Sequence, residues 1–370
     1  MPIKSIKIKN FKSLENFEIL NLQKFNCLIG LNGSGKTTLL QAFDFLGQLM
    51  LGNMENWLRN RGWKHAELCN ASSQKRQIVF EIEMENIKWQ GEYNTSKHRC
   101  FSETVSENDK ILLKVSEGQY RLENDNKSEK IMFEYQGSIM SQLKTTGLLS
   151  ELKNEINGLK SMELLSPHIM RVSSKENTED IGIYGERIHE FLFSLNTDKR
   201  KILTEKLKEF YPNLSEWDIM SKRFGWKKLF IMENYNKQIL TNANHINDGF
   251  LRIIAILAQS FGKHNILLYD EIENGINPEL VEKLVDYLVH SEKQIFITTH
   301  SPLVLNYLED ETAKKSVHLL YKTKNGDTKS ALYFDYPEAK RKLEFFGPGE
   351  VYTDTSISDA VNYFIKEANK

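Results

Sequence analysis

An α/β fold with a parallel core sheet and a β-rich, helical insertion is what this 370-residue sequence predicts, and three observations carry that expectation. A short apolar run, Phe25 to Ile29, leads into a glycine-rich loop and then a helical pattern from Thr38 to Met50, with Leu39, Leu40, Phe43, Leu46 and Leu49 on one face. From Asn265 onward, strand-like and helix-like segments alternate. Between these halves, residues 75–235 read first as strands and then as helices.

In chain order, Ile6 and Ile8 alternate with Lys7 and Lys9, and Phe17 and Ile19 continue the pattern, so residues 3–29 read as three strands. The second β-like region shows best in Gln77–Met84, with shorter runs at Ile111–Val115 and Ile131–Tyr135. From Ser138 to Leu165 the pattern turns helical, with Gly147 and Gly158 as expected interruptions, and further helices are expected at 186–193 and 197–211. No heptad is sustained, which argues against long coiled-coil arms. Asn265–Tyr269 and Gln294–Thr299 read as buried strands around a helix from Pro278 to about Ser291, capped by Asn277. The run Lys324-Asn325-Gly326-Asp327 lies between two strand-like segments and suggests a hairpin with a two-residue Asn-Gly turn.

The loop itself, Gly30 to Thr37, reads GLNGSGKT and fits G-x-x-x-x-G-K-[ST] at every fixed position. Such a match arises by chance in roughly one chain in a hundred of this length. Glycines let backbone N–H groups turn around phosphate oxygens, a lysine adds a point charge, and a Thr hydroxyl suits Mg²⁺. Asn32, Gly33, Ser34, Gly35, Lys36, Thr37 and Thr38 are therefore the expected contacts to a nucleoside triphosphate, with Thr37 also on the metal.

Three further groups extend that site. Ile266–Tyr269 is an apolar run ending in Asp270 and Glu271, and an acid at the tip of a buried strand is costly unless it meets a cation. Asp270 is expected in the Mg²⁺ shell and Glu271 as the base that polarises the attacking water, against the plainer reading of a solvated acidic turn. His300 ends the next strand; a histidine is usually a packed or surface residue, but strand ends in open α/β sheets are where ligands bind. Ile246-Asn247-Asp248-Gly249 precedes an apolar helix, which Asn247 or Asp248 would cap; the same donors at a helix N-terminus, with Arg252 one turn in, could grip a phosphate.

Composition sets outer bounds. A 40% hydrophobic content is ample for a packed core, and a net charge of -1 with a pI near 6.8 supplies no general field for nucleic acid. Three scattered cysteines form no CxxC pair, which suggests a reducing compartment, and no apolar run is long enough to span a membrane, so a cytoplasmic location is expected.

Together these motifs resemble the ATP-binding-cassette ATPases of the SMC, RecF and OLD group. GLNGSGKT resembles Walker A, ILLYDE Walker B, INDG the signature motif and His300 the switch histidine. The opening Ile/Lys pattern with Asn10-Phe11, and Glu273 to Pro278, resemble these families as well. The likeness covers residues 1–50 and 240–305 and departs at Asn247, where a serine is usual, at Ile272 for proline and at Asn277 for histidine. The glutamine loop is not identifiable, Gln136 and Gln142 being the candidates.

The resemblance implies a single P-loop head of ABC type over 1–370, with 1–60 and 235–340 as nucleotide-binding core, 75–235 as insertion and 341–370 as tail. It also implies ATP and Mg²⁺ as ligands and a homodimer in which Asn247 and Gly249 of one copy complete the ATP site of the other. The expected role is a prokaryotic defence or DNA-maintenance ATPase controlling a separate effector such as a nuclease or toxin, with a weakly hydrolysing scaffold or DNA-binding module as the alternative. A nuclease within the same chain is disfavoured, because only about seventy residues follow His300. Direct contact with DNA or RNA would fall on Lys222, Arg223, Trp226, Lys227 and Lys228, although a solvated basic face is the commoner meaning of such a cluster.

Overall fold

The computed structural model describes residues 1–370 apart from 124, 126, 160, 163–165, 176–179, 222, 369 and 370. The three expected N-terminal strands are β1 (Ile3–Phe11), β2 (Leu14–Ile19) and β3 (Phe25–Ile29). Six more follow: β4 (Gln77–Met84), β5 (Ile87–Asn94), β6 (Arg99–Glu107), β7 (Lys110–Ser116), β8 (Gln119–Leu122) and β9 (Glu129–Lys130). Then come β10 (Ser161–Met162), β11 (Leu214–Ser221), β12 (Lys227–Asn234), β13 (Gln238–Asn242), β14 (Ile266–Tyr269), β15 (Gln294–Thr298), β16 (Val317–Lys322) and β17 (Thr328–Leu332).

These strands form three sheets. An antiparallel sheet runs β2-β1-β4-β5-β6-β7-β8-β9, a core sheet runs β10-β14-β15-β3-β16-β17, and a small sheet runs β11-β12-β13. In the core sheet β14, β15, β3 and β16 are mutually parallel, with Tyr269 opposite Ile297, Ile297 opposite Cys27, and His318 opposite Leu28. Parallel strands covered on both faces read as continuous apolar runs, which is why β3, β14 and β15 were legible as buried strands.

Alternation along these strands seals two cores. Phe25, Cys27, Ile29, Leu267, Tyr269, Ile295 and Ile297 face one side, where they pack with the Asp248–Ala258 and Pro278–Val289 helices and with Val351 and Phe364 of the C-terminal helices. Leu28, Ile266, Leu268 and Phe296 face the other, against the Lys36–Leu51 helix and the inner face of the antiparallel sheet. The Lys36–Leu51 helix is buried along most of its length, so its N-terminus, which carries the phosphate loop, is held from both sides.

Several local expectations are corrected. Ile131–Tyr135 is not a strand: Met132 is 82% exposed, and the segment is tied down by Tyr135, whose hydroxyl donates to Cys100 O at 2.6 Å. Gly147 does not interrupt a helix but begins one, Gly147–Asn157, in a left-handed conformation, while Gly158 caps its end. In the β16–β17 hairpin, Gly326 N donates to Thr323 O at 3.0 Å and only Gly326 takes positive φ. A two-residue type I′ turn would need positive φ at Asn325 too, so this is a longer loop with glycine in the left-handed position after a turn. The β11–β13 sheet and the Met54–Arg61 helix had no sequence expectation, while β5 and β6 fall within the expected β-like region of residues 77–135 without having been delimited in it.

Candidate functional site

The loop leaves β3 with Gly30, Gly33 and Gly35 at φ +144°, +77° and +109°, where L side chains are strained. Space is scarce as well at two of them: a Cβ on Gly30 would lie 2.3 Å from Leu320 O, and one on Gly35 2.4 Å from Thr328 Oγ1. Thr328, fully buried, donates to Ser34 O at 3.0 Å and meets Ser13 Oγ at 2.9 Å, so the loop is braced by β17 and by the turn between β1 and β2. Neither Ser13 nor Thr328 was a sequence candidate, since only the fold brings residues 315 positions apart into contact.

Lys36 Nζ is buried and donates to Gly30 O at 2.9 Å and Leu31 O at 3.2 Å. Burial lowers its pKa, and Asp270, Glu271 and Glu273 oppose that shift. Ser34 Oγ is buried without a hydrogen-bond partner. An ammonium resting on loop carbonyls and an unsatisfied hydroxyl beside it are what an oxyanion would engage.

Thr37 Oγ1 donates to Asp270 Oδ2 at 2.9 Å, and Thr298 Oγ1 bonds to the other carboxylate oxygen. The helix start, the end of β14 and the end of β15 thus meet at one carboxylate. Hydroxyl and carboxylate oxygens are the hard donors Mg²⁺ takes, so this pair fits that ion. Glu271 follows at φ +48°, an uncommon backbone state for a non-glycine residue. It is held there by its own N–H to Thr298 Oγ1 at 2.8 Å and by Ile272 N to Thr298 O at 3.2 Å. Strain of this kind costs about 1–3 kcal/mol and clusters at functional sites. The Glu271 carboxylate accepts from Asn274 Nδ2 at 3.3 Å. Thr298 therefore orients both acids, a role no local pattern signalled.

His300 is exposed just past β15, and its backbone N–H donates to Glu273 Oε1 at 2.9 Å. Glu273 Oε2 is buried and unpartnered. Glu273 thus links the His300 turn to the segment following Glu271.

Asn247 caps the Asp248–Ala258 helix, Oδ1 accepting from Phe250 N at 2.8 Å. Gly249 lies beside Gly275 and the Asn247 side chain: a Cβ on Gly249 would be 3.2 Å from Gly275 O and 3.6 Å from Asn247 Oδ1, and one on Gly275 3.4 Å from Arg252 Nε. Arg252 Nε is buried without a hydrogen-bond partner, and burial lowers its pKa against the opposing charges of Asp248 and Glu271. Arg171 bonds Ile246 O at 2.7 Å and also holds Asp248, fixing the approach to the helix. Asn247→Ala should destabilise the fold by about 1 kcal/mol, and Asn247→Ser should restore most of it, as read by thermal unfolding.

The remaining candidates are not gathered at the loop. Gln136 and Gln142 are exposed and share a cleft with Gly52, the C-cap of the Lys36–Leu51 helix. A helix of that length spans about 24 Å, so they sit at the opposite end from the phosphate loop and cannot serve as its glutamine loop. In the basic cluster, Lys222 lies outside the described residues and Trp226 is half-exposed, whereas Lys227 is ion-paired with Glu190 and Lys228 is buried, donating to Asn244 Oδ1 at 2.6 Å. Two of the five groups are thus committed internally and not free for nucleic acid.

The AAA ATPase domain family matches residues 1–237, and residues 174–306 match a second family described as AAA domain, putative AbiEii toxin, Type IV TA system. The DNA replication and repair protein RecF of Actinobacillus pleuropneumoniae serotype 5b (strain L20) is 43% identical over 47 residues, 13% of each chain, so the likeness spans about an eighth of that relative. Among solved structures, an SMC head bound to the C-winged helix domain of ScpA superposes over 90% of this chain and 97% of its own, with TM-score 0.53 and 14% identity. The SMC head domain from Thermotoga maritima superposes with TM-score 0.48 at 11% identity, covering 90% of this chain and 99% of that one. With the family match over more than half of its length, the chain belongs to the AAA ATPase domain family, and it carries the fold of an SMC head around its phosphate loop.

Proposed function

We propose that this ATPase closes on a second copy of itself around ATP and Mg²⁺, opens on hydrolysis, and uses that cycle to control a separate effector in prokaryotic defence or DNA maintenance. The observation that carries the reading is the convergence of Thr37, Asp270 and Thr298, with Glu271 next in the chain. Lys36, Ser34, Thr38 and the N–H groups from Asn32 to Gly35 would hold the phosphates, and Thr37 with Asp270 would hold Mg²⁺. Bound there, Mg²⁺ would supply charge neutralisation to the triphosphate. Glu271 would take the proton of the attacking water, and His300 would contact the γ-phosphate end.

Asn247 and Gly249 support dimer closure because both sit at an exposed helix N-terminus whose N–H groups favour anions. One loop leaves the outer face of the triphosphate unneutralised, and such a terminus from a second copy can cover it. In division of labour, 1–60 and 235–340 serve as nucleotide core, 75–235 as insertion and 341–370 as tail. A cytoplasmic setting is part of the proposal; among the described residues no helix is long and apolar enough to cross a membrane.

An effector is supported by two likenesses: an SMC head has been solved with ScpA bound, and the second family carries a toxin–antitoxin description. The RecF likeness favours the alternative, a DNA-binding scaffold with little hydrolysis. Sedimentation of the Glu271→Gln chain tests dimer closure: the mass should double with ATP and Mg²⁺ and return to that of one chain without nucleotide. A single-chain mass under both conditions would overturn it.

A further inference from the structure

At the far end of the Lys36–Leu51 helix, three side chains from separate elements bring their donor atoms together. Glu55 lies in the first turn of the Met54–Arg61 helix, His65 opens a short 3₁₀ turn, His65–Leu68, and His98 sits in the turn joining β5 to β6. Glu55 Oε1 is 3.0 Å from His65 Nε2 and 3.0 Å from His98 Nδ1, and all three donor atoms lie within 4.8 Å of one another. We propose that Glu55, His65 and His98 form a binding site for a late first-row divalent cation of the zinc type.

The donor chemistry selects the class. Two imidazoles and one carboxylate suit Zn²⁺, Co²⁺ or Ni²⁺ over the all-oxygen demand of Mg²⁺ or Ca²⁺. Bonds of roughly 2.0–2.1 Å around a tetrahedral ion separate neighbouring donors by about 3.3 Å, close to the two spacings here. Three protein ligands at a partly exposed position leave the fourth place to water. Lys97 and Arg99 adjoin His98 in sequence, and their charge keeps the affinity below that of a closed four-ligand site.

The site also has an outer layer. His65 Nδ1 lies 2.8 Å from the hydroxyl of Tyr93, which is fully buried and packs edge-on against Phe45 with ring centroids 5.5 Å apart. A metal-bound histidine needs its second nitrogen anchored, and a buried phenol oxygen can take that N–H. Without metal, the two imidazoles stack at 3.6 Å with planes 6° apart and share one carboxylate oxygen. A metal must lie in the plane of each ring, so binding opens the stack. The His98 side chain, 40% exposed at the tip of a turn, has the freedom to do so. The bound ion would tie the β5–β6 turn to the helix that follows the phosphate-loop helix.

The test uses the full chain without nucleotide, titrated with Co²⁺ and then Zn²⁺. One Co²⁺ per chain is expected, binding tighter than about 10 μM with the intense visible absorption of tetrahedral cobalt and displaced by Zn²⁺. His98→Ala and Glu55→Gln should each weaken binding by at least about 100-fold, with the thermal midpoint of the metal-free chain held within a few degrees. Absence of binding at about 100 μM, or binding undiminished in both His98→Ala and Glu55→Gln, would overturn the site.

Discussion

Glu271→Gln is expected to slow ATP turnover by about 10² to 10⁴-fold while nucleotide stays bound. Glutamine keeps the length and planarity of the side chain, and its amide oxygen can still accept the Asn274 Nδ2 bond. The backbone at φ +48° is set by Thr298 through main-chain groups that the substitution leaves alone. Only the capacity to take a proton is removed. Phosphate release and binding of a fluorescent ATP analogue, measured on the same preparation, separate the two quantities. Turnover equal to wild type would remove Glu271 from the mechanism, and a parallel loss of binding would make its role structural.

Lys36→Ala is expected to cost nucleotide binding itself, by about 10 to 100-fold or more, corresponding to the roughly 1.5–3 kcal/mol of a hydrogen bond to a charged group. The loss has two sources. Lys36 supplies the cation closest to the loop carbonyls of Gly30 and Leu31, and it stands in the field of Asp270, Glu271 and Glu273. Without it those carboxylates face an incoming triphosphate unopposed. Lys36→Arg should not rescue fully, because a planar guanidinium does not fit the space of a buried ammonium. Titration with the fluorescent analogue at fixed Mg²⁺ checks both variants, and unaltered affinity in Lys36→Ala would argue that nucleotide binds elsewhere.

Legibility in the sequence followed the range of the forces involved. Gly30 to Thr37 was readable because a loop that turns its N–H groups inward needs glycine at particular positions, and β14 and β15 because strands buried on both faces tolerate few polar residues. Strands β5 and β6 lie inside the expected β-like region but were not delimited in it, because Gly91 and Glu103 occupy buried positions where the alternation calls for an apolar side chain. The braces of the site were unreadable for a different reason. Ser13, Thr298 and Thr328 are ordinary hydroxyls in their own neighbourhoods, and they matter because the core sheet places them against the loop and Asp270. Gln136 and Gln142 failed in the same way, since nothing local reveals which end of a helix a residue will meet.

The position of β3 in its sheet has a consequence for the birth of the protein. Its two neighbours, β15 and β16, begin at Gln294 and Val317, so the strand that delivers the phosphate loop is synthesised early and must wait unpaired for both flanks. Contacts so distant along the chain close late. A nascent chain therefore carries every residue of its loop long before it can grip a nucleotide. A site whose loop strand is flanked by Gln294–Thr298 and Val317–Lys322 is expected to gain its grip on ATP only once both have left the ribosome.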